Sequence, residues 1–229
     1  MIGESRRPKR PMDKLRASRV TATPFRCRLV VMVKVPQMGR VKTRLARETG
    51  AVQAVRFYRH TVRSVLARIG RDPRWHTELS VAPDTGTASR CWPIGVGTKR
   101  QGHGSLGDRM QRIFDEAGPG PVIIIGTDIP AISPTHIAKA FAQLRATDAV
   151  LGPTPDGGYW LVGLKRCPRI ARPFNGVRWS SAGTLADTAF NLRELKVATA
   201  DLLTDVDNAA DLAQCNAWFG RHTLPAGRA

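Results

Sequence analysis

Two continuous apolar runs, Leu29 to Val33 and Val122 to Ile125, constrain the fold more than any other feature. A strand with one wet face alternates apolar and polar residues. Runs without alternation belong to strands covered on both faces, as in parallel sheets flanked by helices. The intervening patterns supply the helices. Val52, Val55, Tyr58, Val62, Val65, Leu66 and Ile69 recur at spacings of three and four, which places them on one helical face. A helix through Met110 and Phe114 follows the weaker strand Glu78 to Ala82. Ser133 then offers a cap oxygen, Pro134 occupies the first helical position, and Ile137, Ala140, Phe141 and Leu144 form a buried stripe. Ala149 to Leu151 and Tyr159 to Leu164 read as two further strands, separated by the turn signal Pro155-Asp156-Gly157-Gly158. Asn208, with Asp211 three residues on, marks a last helix start. Strand and helix alternate, so the expected fold is an α/β sheet with right-handed crossovers in a single domain.

Charge narrows the partners. The 229 residues hold 36 Lys and Arg against 18 Asp and Glu, a formal net charge of +18. That balance raises nucleic acid or an anionic membrane as partner. Most of it falls in the first 70 residues, where 18 basic side chains face only Glu4, Asp13 and Glu48. The first 26 residues, basic and broken by Pro8, Pro11 and Pro24, are expected to form a disordered extension, with a short tail over 221–229. No uncharged apolar run approaches the ~20 residues of a membrane span. Cys27, Cys91, Cys167 and Cys215 lie far apart with no CxxC pair, which excludes a thioredoxin-type motif and favours a reducing, cytoplasmic setting.

The chemistry-bearing residues fall where strands end, the edge at which open α/β sheets bind ligands. After the first strand comes Lys34-Val35-Pro36-Gln37-Met38-Gly39-Arg40-Val41-Lys42-Thr43-Arg44. Gly39 permits close backbone approach, and Lys42 and Arg44 bring cations to a helix start, an anion-binding environment. The segment is not a Walker A loop, because Val41 stands where glycine is required. Asp128 closes the strongest strand in Gly126-Thr127-Asp128-Ile129-Pro130. An acid at such a position needs a cation beside it, and a magnesium ion shared with substrate phosphates is one solution. Asp205 and Asp207 alternate by two and would share one side of an extended segment. Gln101-Gly102-His103-Gly104 is a flexible loop able to pass close to a flat ring, and Asp156-Gly157-Gly158-Tyr159-Trp160 is a tight turn entering a strand.

In this order, KVPQMGRVKTRLA, QGHGSLGDRM, GTDIP, DGGYWLVGL, Trp179-Ser180-Ser181 and DVDNAADL resemble a bacterial family of GT-A-like proteins. These are described as arsenosugar-biosynthesis-type glycosyltransferases, within the nucleotide-diphospho-sugar transferase superfamily. The resemblance spans residues 29–215. It implies a GT-A or Rossmann-like three-layer sandwich with a mostly parallel mixed sheet, over a domain of residues 27–220. It further implies that the loop from Lys34 to Arg44 wraps donor phosphates, with Gly39, Lys42 and Arg44 as partners. Asp128 would bind Mg²⁺ or Mn²⁺, with Asp207 as second ligand or support. Gln101, Gly102 and Gly104 would lie against the nucleoside, and Asp156, Gly157, Gly158, Tyr159 and Trp179 would line the acceptor side. Relatives often carry Asp at the position of Ser105 and Glu at that of Asp108.

Two reactions fit these parts. One moves a sugar from a nucleoside diphosphate sugar to a small acceptor, with Lys42 and Asp128 at the diphosphate and Asp156 as general base. The other resembles the phospholactate guanylyltransferases, in which a phosphorylated acceptor attacks the α-phosphorus of a nucleoside triphosphate. A nucleic-acid-binding role would need stacking platforms among the basic residues. Only two aromatics, Phe57 and Tyr58, lie among the basic residues of 29–70, both within the helix pattern. Base, sugar, acceptor and oligomeric state are not written in the sequence.

Overall fold

The structure is a computed structural model describing residues 26–166 and 171–221. Apart from their innermost residues, the expected extension and tail lie outside these, as does Cys167. The elements run β1 (Arg28–Lys34), α1 (Thr43–Thr49), α2 (Ala51–Ile69), β2 (His76–Ala82), a 3₁₀ turn (Asp84–Ala88), β3 (Gly97–Arg100), α3 (Leu106–Glu116) and β4 (Val122–Ile125). They continue with α4 (Pro134–Ala146), β5 (Ala149–Pro153), β6 (Tyr159–Leu164), α5 (Thr184–Asn191), β7 (Val197–Thr199) and α6 (Ala209–Arg221).

All seven strands join one sheet in the order β3-β2-β1-β4-β6-β5-β7. Every pairing is parallel except the two made by β6, which runs against both β4 and β5. The apolar runs of β1 and β4 are central, and alternate side chains enter opposite layers. Leu29, Val31, Val33, Ile123 and Ile125 pack with the α2 stripe from Val55 to Ile69 and with Ile137, Ala140, Phe141 and Leu144 of α4, whereas Val52, in the first turn of α2, is exposed and stands outside the stripe. Val30, Val122 and Ile124 pack with Met110 and Phe114 of α3, and with Leu185 and Ala189 of α5. This is the three-layer, mostly parallel mixed sheet that the family resemblance implies, with the two apolar runs as its doubly covered central strands.

The predicted caps form. Ser133 accepts from the His136 backbone N–H, and the His136 ring accepts in return from the Ser133 N–H. Asn208 Oδ1 accepts from Asp211 N–H, and Asp211 Oδ2 from Asn208 N–H. Four elements carry too little local signal for the sequence patterns to expose them. β3 and β7 are short edge strands without an apolar run, α1 is a seven-residue helix, and α5 buries mainly small side chains. Edge strands answer to their neighbours, not to their own periodicity.

The reversed direction of β6 positions the site. Leu161 pairs with Ile125 and Leu164 with Val122, so the beginning of β6 sits at the same edge as the end of β4. The Asp156–Gly158 turn thereby joins the loops after β1 and β4.

Candidate active site

A cavity of about 650 Å³ opens at this edge, within the range of small-molecule sites. Lys34, Lys42, Gln101, Gly104, Asp128, Asp156, Gly158, Tyr159 and Trp179 all line it. Gly39, Arg44, Gly102, Gly157 and Asp207 stand outside its wall.

Lys42 is the centre of charge. It caps α1 in the left-handed region, φ 46° and ψ 49°, a conformation costing a non-glycine residue about 1–2 kcal/mol. The side chain is only 4% exposed, and its ammonium lies 2.9 Å from Asp207 Oδ1 and 3.3 Å from Asp128 Oδ1. Burial pushes the ammonium towards neutrality, but the two carboxylates outweigh it and hold the pKa above the ordinary lysine value. Arg44, largely exposed, reaches Asp207 Oδ2 at 3.2 Å. Both oxygens of Asp207 are therefore paired with cations, whereas Asp128 keeps Oδ2 outside these pairs and is half-exposed. The two acids are also joined through backbone, since Val206 N–H donates to Asp128 O at 3.2 Å. Arg68 of α2 steadies the loop after Asp128 through the carbonyls of Pro130 and Ile132.

A third acid lies nearby and lines a separate, smaller cavity. Asp205 is half-buried beside Asp207 and Asp156, and burial, followed by those two negative charges, raises its pKa to about 6. Asp156 is held in its turn, where Oδ1 accepts from Thr154 Oγ1 at 2.6 Å and from Gly158 N–H at 3.0 Å. Gly157 sits at φ +83° against the Ala182 backbone, so no side chain fits there. This close approach docks the turn on the 180–183 segment, and Leu185 N–H donates to Gly157 O at 2.9 Å. Trp179 leans on Phe174 with ring centroids 6.1 Å apart. Tyr159 is largely buried, which raises its phenol pKa well above the usual value.

On the opposite side, Gln101 is 5% exposed, and its Nε2 donates to Val33 O at 3.2 Å and Ser80 O at 2.8 Å. Those bonds fasten the start of the 101–104 loop to β1 and β2. Gly102 N–H donates to Asp84 Oδ1 at 3.0 Å, and Arg112 grips the carbonyls of Gln101 and His103. Ser105 and Asp108 form the capping box of α3, so the Asp108 carboxylate is engaged by the Ser105 N–H and hydroxyl.

Sequence reasoning did not assign a site role to Tyr58 or Arg109. The Tyr58 hydroxyl accepts from Lys34 N–H at 2.8 Å and donates to Lys34 O at 3.2 Å, while burial raises its pKa to about 12. It reaches the cavity from the core face of α2 and pins the end of β1. The available signal was a hydroxyl on an otherwise apolar stripe, because a buried tyrosine needs a partner. Arg109 lines the cavity and bonds Gly104 O at 3.1 Å. Nothing in its helical position announces that role.

Residues 65–181, just over half of the chain, match a family described as "Uncharacterized protein conserved in bacteria (DUF2064)", and the chain belongs to it. A comparison with curated proteins finds no match. Among solved structures, one from Desulfovibrio desulfuricans G20, provisionally named a nucleotide-diphospho-sugar transferase, is 29% identical. It covers 87% of this chain and 89% of its own, with a TM-score of 0.76. The inositol-1-phosphate CTP transferase from T. maritima shares the fold at 12% identity and a TM-score of 0.57, covering 88% of this chain and 97% of its own. So does CMP:2-keto-3-deoxy-manno-octonic acid synthetase, in complex with CTP, at 13% identity and 0.52, covering 86% and 99%. The fold is thus that of nucleotide-diphospho-sugar transferases and nucleotidyltransferases. No helix among the described residues is long and apolar enough to cross a membrane.

Proposed function

We propose that this protein is a nucleotide-dependent transferase that moves a sugar from a nucleoside diphosphate sugar to a small acceptor. One observation carries the reading. A buried ammonium, fixed by two carboxylates, lines a ligand-sized cavity at the carboxyl edge of the sheet. A cation so placed, with Arg44 behind it, suits a diphosphate whose charge grows as it leaves. At ~4 Å and an effective dielectric near 20, each cation–phosphate pair is worth about 4 kcal/mol before desolvation.

The donor set suits a divalent cation shared with substrate. Among the described residues no three His, Cys, Asp or Glu side chains gather as a cage, so the protein alone would hold an ion weakly. Asp128, with one oxygen outside the ion pairs, would bind Mg²⁺ or Mn²⁺ together with phosphate oxygens, as magnesium sites commonly do. Asp207 would support it from behind. When bound, the metal would neutralise charge on the leaving diphosphate.

The chain's own groups do the rest. Tyr58 and the bonds of Gln101 hold the β1 end and the 101–104 loop in place for a nucleoside. Asp156, oriented by Thr154 and Gly158, would take the acceptor hydroxyl proton on Oδ2, the oxygen not engaged in the turn. Trp179 and Tyr159 would flank the acceptor. A reducing, cytoplasmic setting is part of this reading. The finer resemblance to arsenosugar-type glycosyltransferases belongs to this same reading.

The engagement of Asp156 Oδ1 also favours a second reading. A phosphorylated acceptor is already ionised and needs no base, so nucleotidyl transfer from a triphosphate would leave Asp156 a structural role. A thermal-shift panel of nucleoside triphosphates and nucleotide sugars, with and without Mg²⁺, separates the two. Ligand at 100 times its dissociation constant adds about 2.7 kcal/mol. Stabilisation by nucleotide sugars supports the first reading, and stabilisation by triphosphates alone the second. A folded sample indifferent to every nucleotide would overturn both.

A further inference from the structure

A second groove, of about 710 Å³, lies between α2 and the 90–96 loop and shares no lining residue with the active-site cavity. Its floor is apolar, with Ala67 and Val96 accessible beside the buried Val62, Leu66 and Trp92, while Ile94 stands 90% exposed at its lip. Its rim is basic. Arg59, Arg63, Arg71 and Arg90 line it with no acidic residue among them, and none of the four enters an ion pair among the described residues. The groove is a built feature. Arg71 donates to Ile94 O at 3.4 Å, joining the loop to the end of α2, and Trp92 Nε1 donates to Gly86 O at 2.8 Å.

We propose that this groove docks an extended acidic segment of a partner protein, with apolar side chains seated on the floor and carboxylates facing the arginines. Charge selects the partner. Another copy of a chain carrying net +18 would set arginine against arginine across a symmetric contact. Dimension selects an extended ligand over a single small anion. Arg59 and the end of α2 at Ile69 are ten residues apart, about 15 Å along a helix rising ~1.5 Å per residue. About five extended residues at ~3.3 Å each span that distance. Chemistry selects peptide over nucleic acid. Trp92 is 8% exposed with its ring edge already bonded, so it offers no face for stacking a base, whereas the accessible aliphatic groups of Ala67, Ile94 and Val96 suit Leu or Ile.

The test is fluorescence anisotropy at low salt with a labelled peptide of about ten residues alternating Glu and Leu. A Glu/Ser peptide and single-stranded oligo(dT) serve as competitors. The variants are Arg59→Glu with Arg63→Glu, and Ile94→Asp, all at exposed positions and outside the active-site cavity. Binding by the wild type, weakened about tenfold or more by the double reversal and clearly by Ile94→Asp, with Glu/Ser a much poorer competitor, is the expected result. Equal binding by wild type and double variant, or no binding at millimolar peptide, overturns it. Tight oligo(dT) binding lost in the same variants, with peptide indifferent, would replace the peptide with nucleic acid. Circular dichroism melts confirm that each variant is folded before it is scored.

Discussion

Removing the Lys42 ammonium tests the geometry on which the proposed function stands. At about 3 Å and an effective dielectric near 20, each contact with Asp128 and Asp207 is worth about 5 kcal/mol before desolvation. Burying the ammonium offsets most of that, so the net is far smaller. Breaking a fully buried pair costs about 3–5 kcal/mol because the stranded charge stays out of water. Here the stranded acids are not dry. The Asp128 side chain is 49% exposed, and Asp207 keeps Arg44 at 3.2 Å. Relief of the left-handed strain at Lys42 is not expected, because methionine meets the same backbone. Lys42→Met should therefore destabilise the fold by about 2 kcal/mol at neutral pH. The assay is a double-mutant cycle in urea with Lys42→Met, Asp128→Asn and both together. The expected coupling is about 1–2 kcal/mol, and flat across neutral pH because the raised lysine pKa keeps the ammonium charged there. Coupling indistinguishable from zero would refute the claim that Asp128 helps to hold Lys42, and the same cycle with Asp207→Asn tests the shorter contact.

Asp205, with its pKa raised to about 6, stabilises the protein most when protonated; that contribution is full below about pH 4 and lost as pH rises through 6. Asp205→Asn should accordingly stabilise the protein by about 1 kcal/mol at pH 7.5 after discounting for solvent screening, with little gain at pH 4, as followed by urea midpoints. Gly157→Ala places a Cβ at φ +83° against Ala182; a loss of about 2 kcal/mol in thermal melts is expected, and an unchanged Tm would contradict the docking of the turn. Ser105→Ala removes the α3 cap and should lower stability by about 1 kcal/mol, while Ser105→Asp, another capping oxygen, should restore most of it.

Much of this molecule is legible in its sequence because the deciding forces there are local. Short unbroken apolar runs rich in Val and Ile read as doubly covered strands, so β1 and β4 were readable almost to their ends. Ser133-Pro134 and Asn208 with Asp211 start helices because cap hydrogen bonds join residues three apart. Asp128 could be singled out because an acid ending an apolar strand demands a cation. Which cation meets it was not legible. Lys42 reaches Asp207 across a sequence separation of 165, and only the folded sheet brings them to 2.9 Å. The same holds for the antiparallel turn of β6, which carries Asp156 to the edge where β1 and β4 end, and for the Tyr58 hydroxyl bonded to Lys34. The four arginines of the second groove share that origin, since Arg90 meets the others only where the 90–96 loop folds against α2. Burial periodicity and capping act over a helical turn and are written into neighbouring residues. Charge pairing and cavity shape act through space between distant segments, so tertiary structure alone decides them.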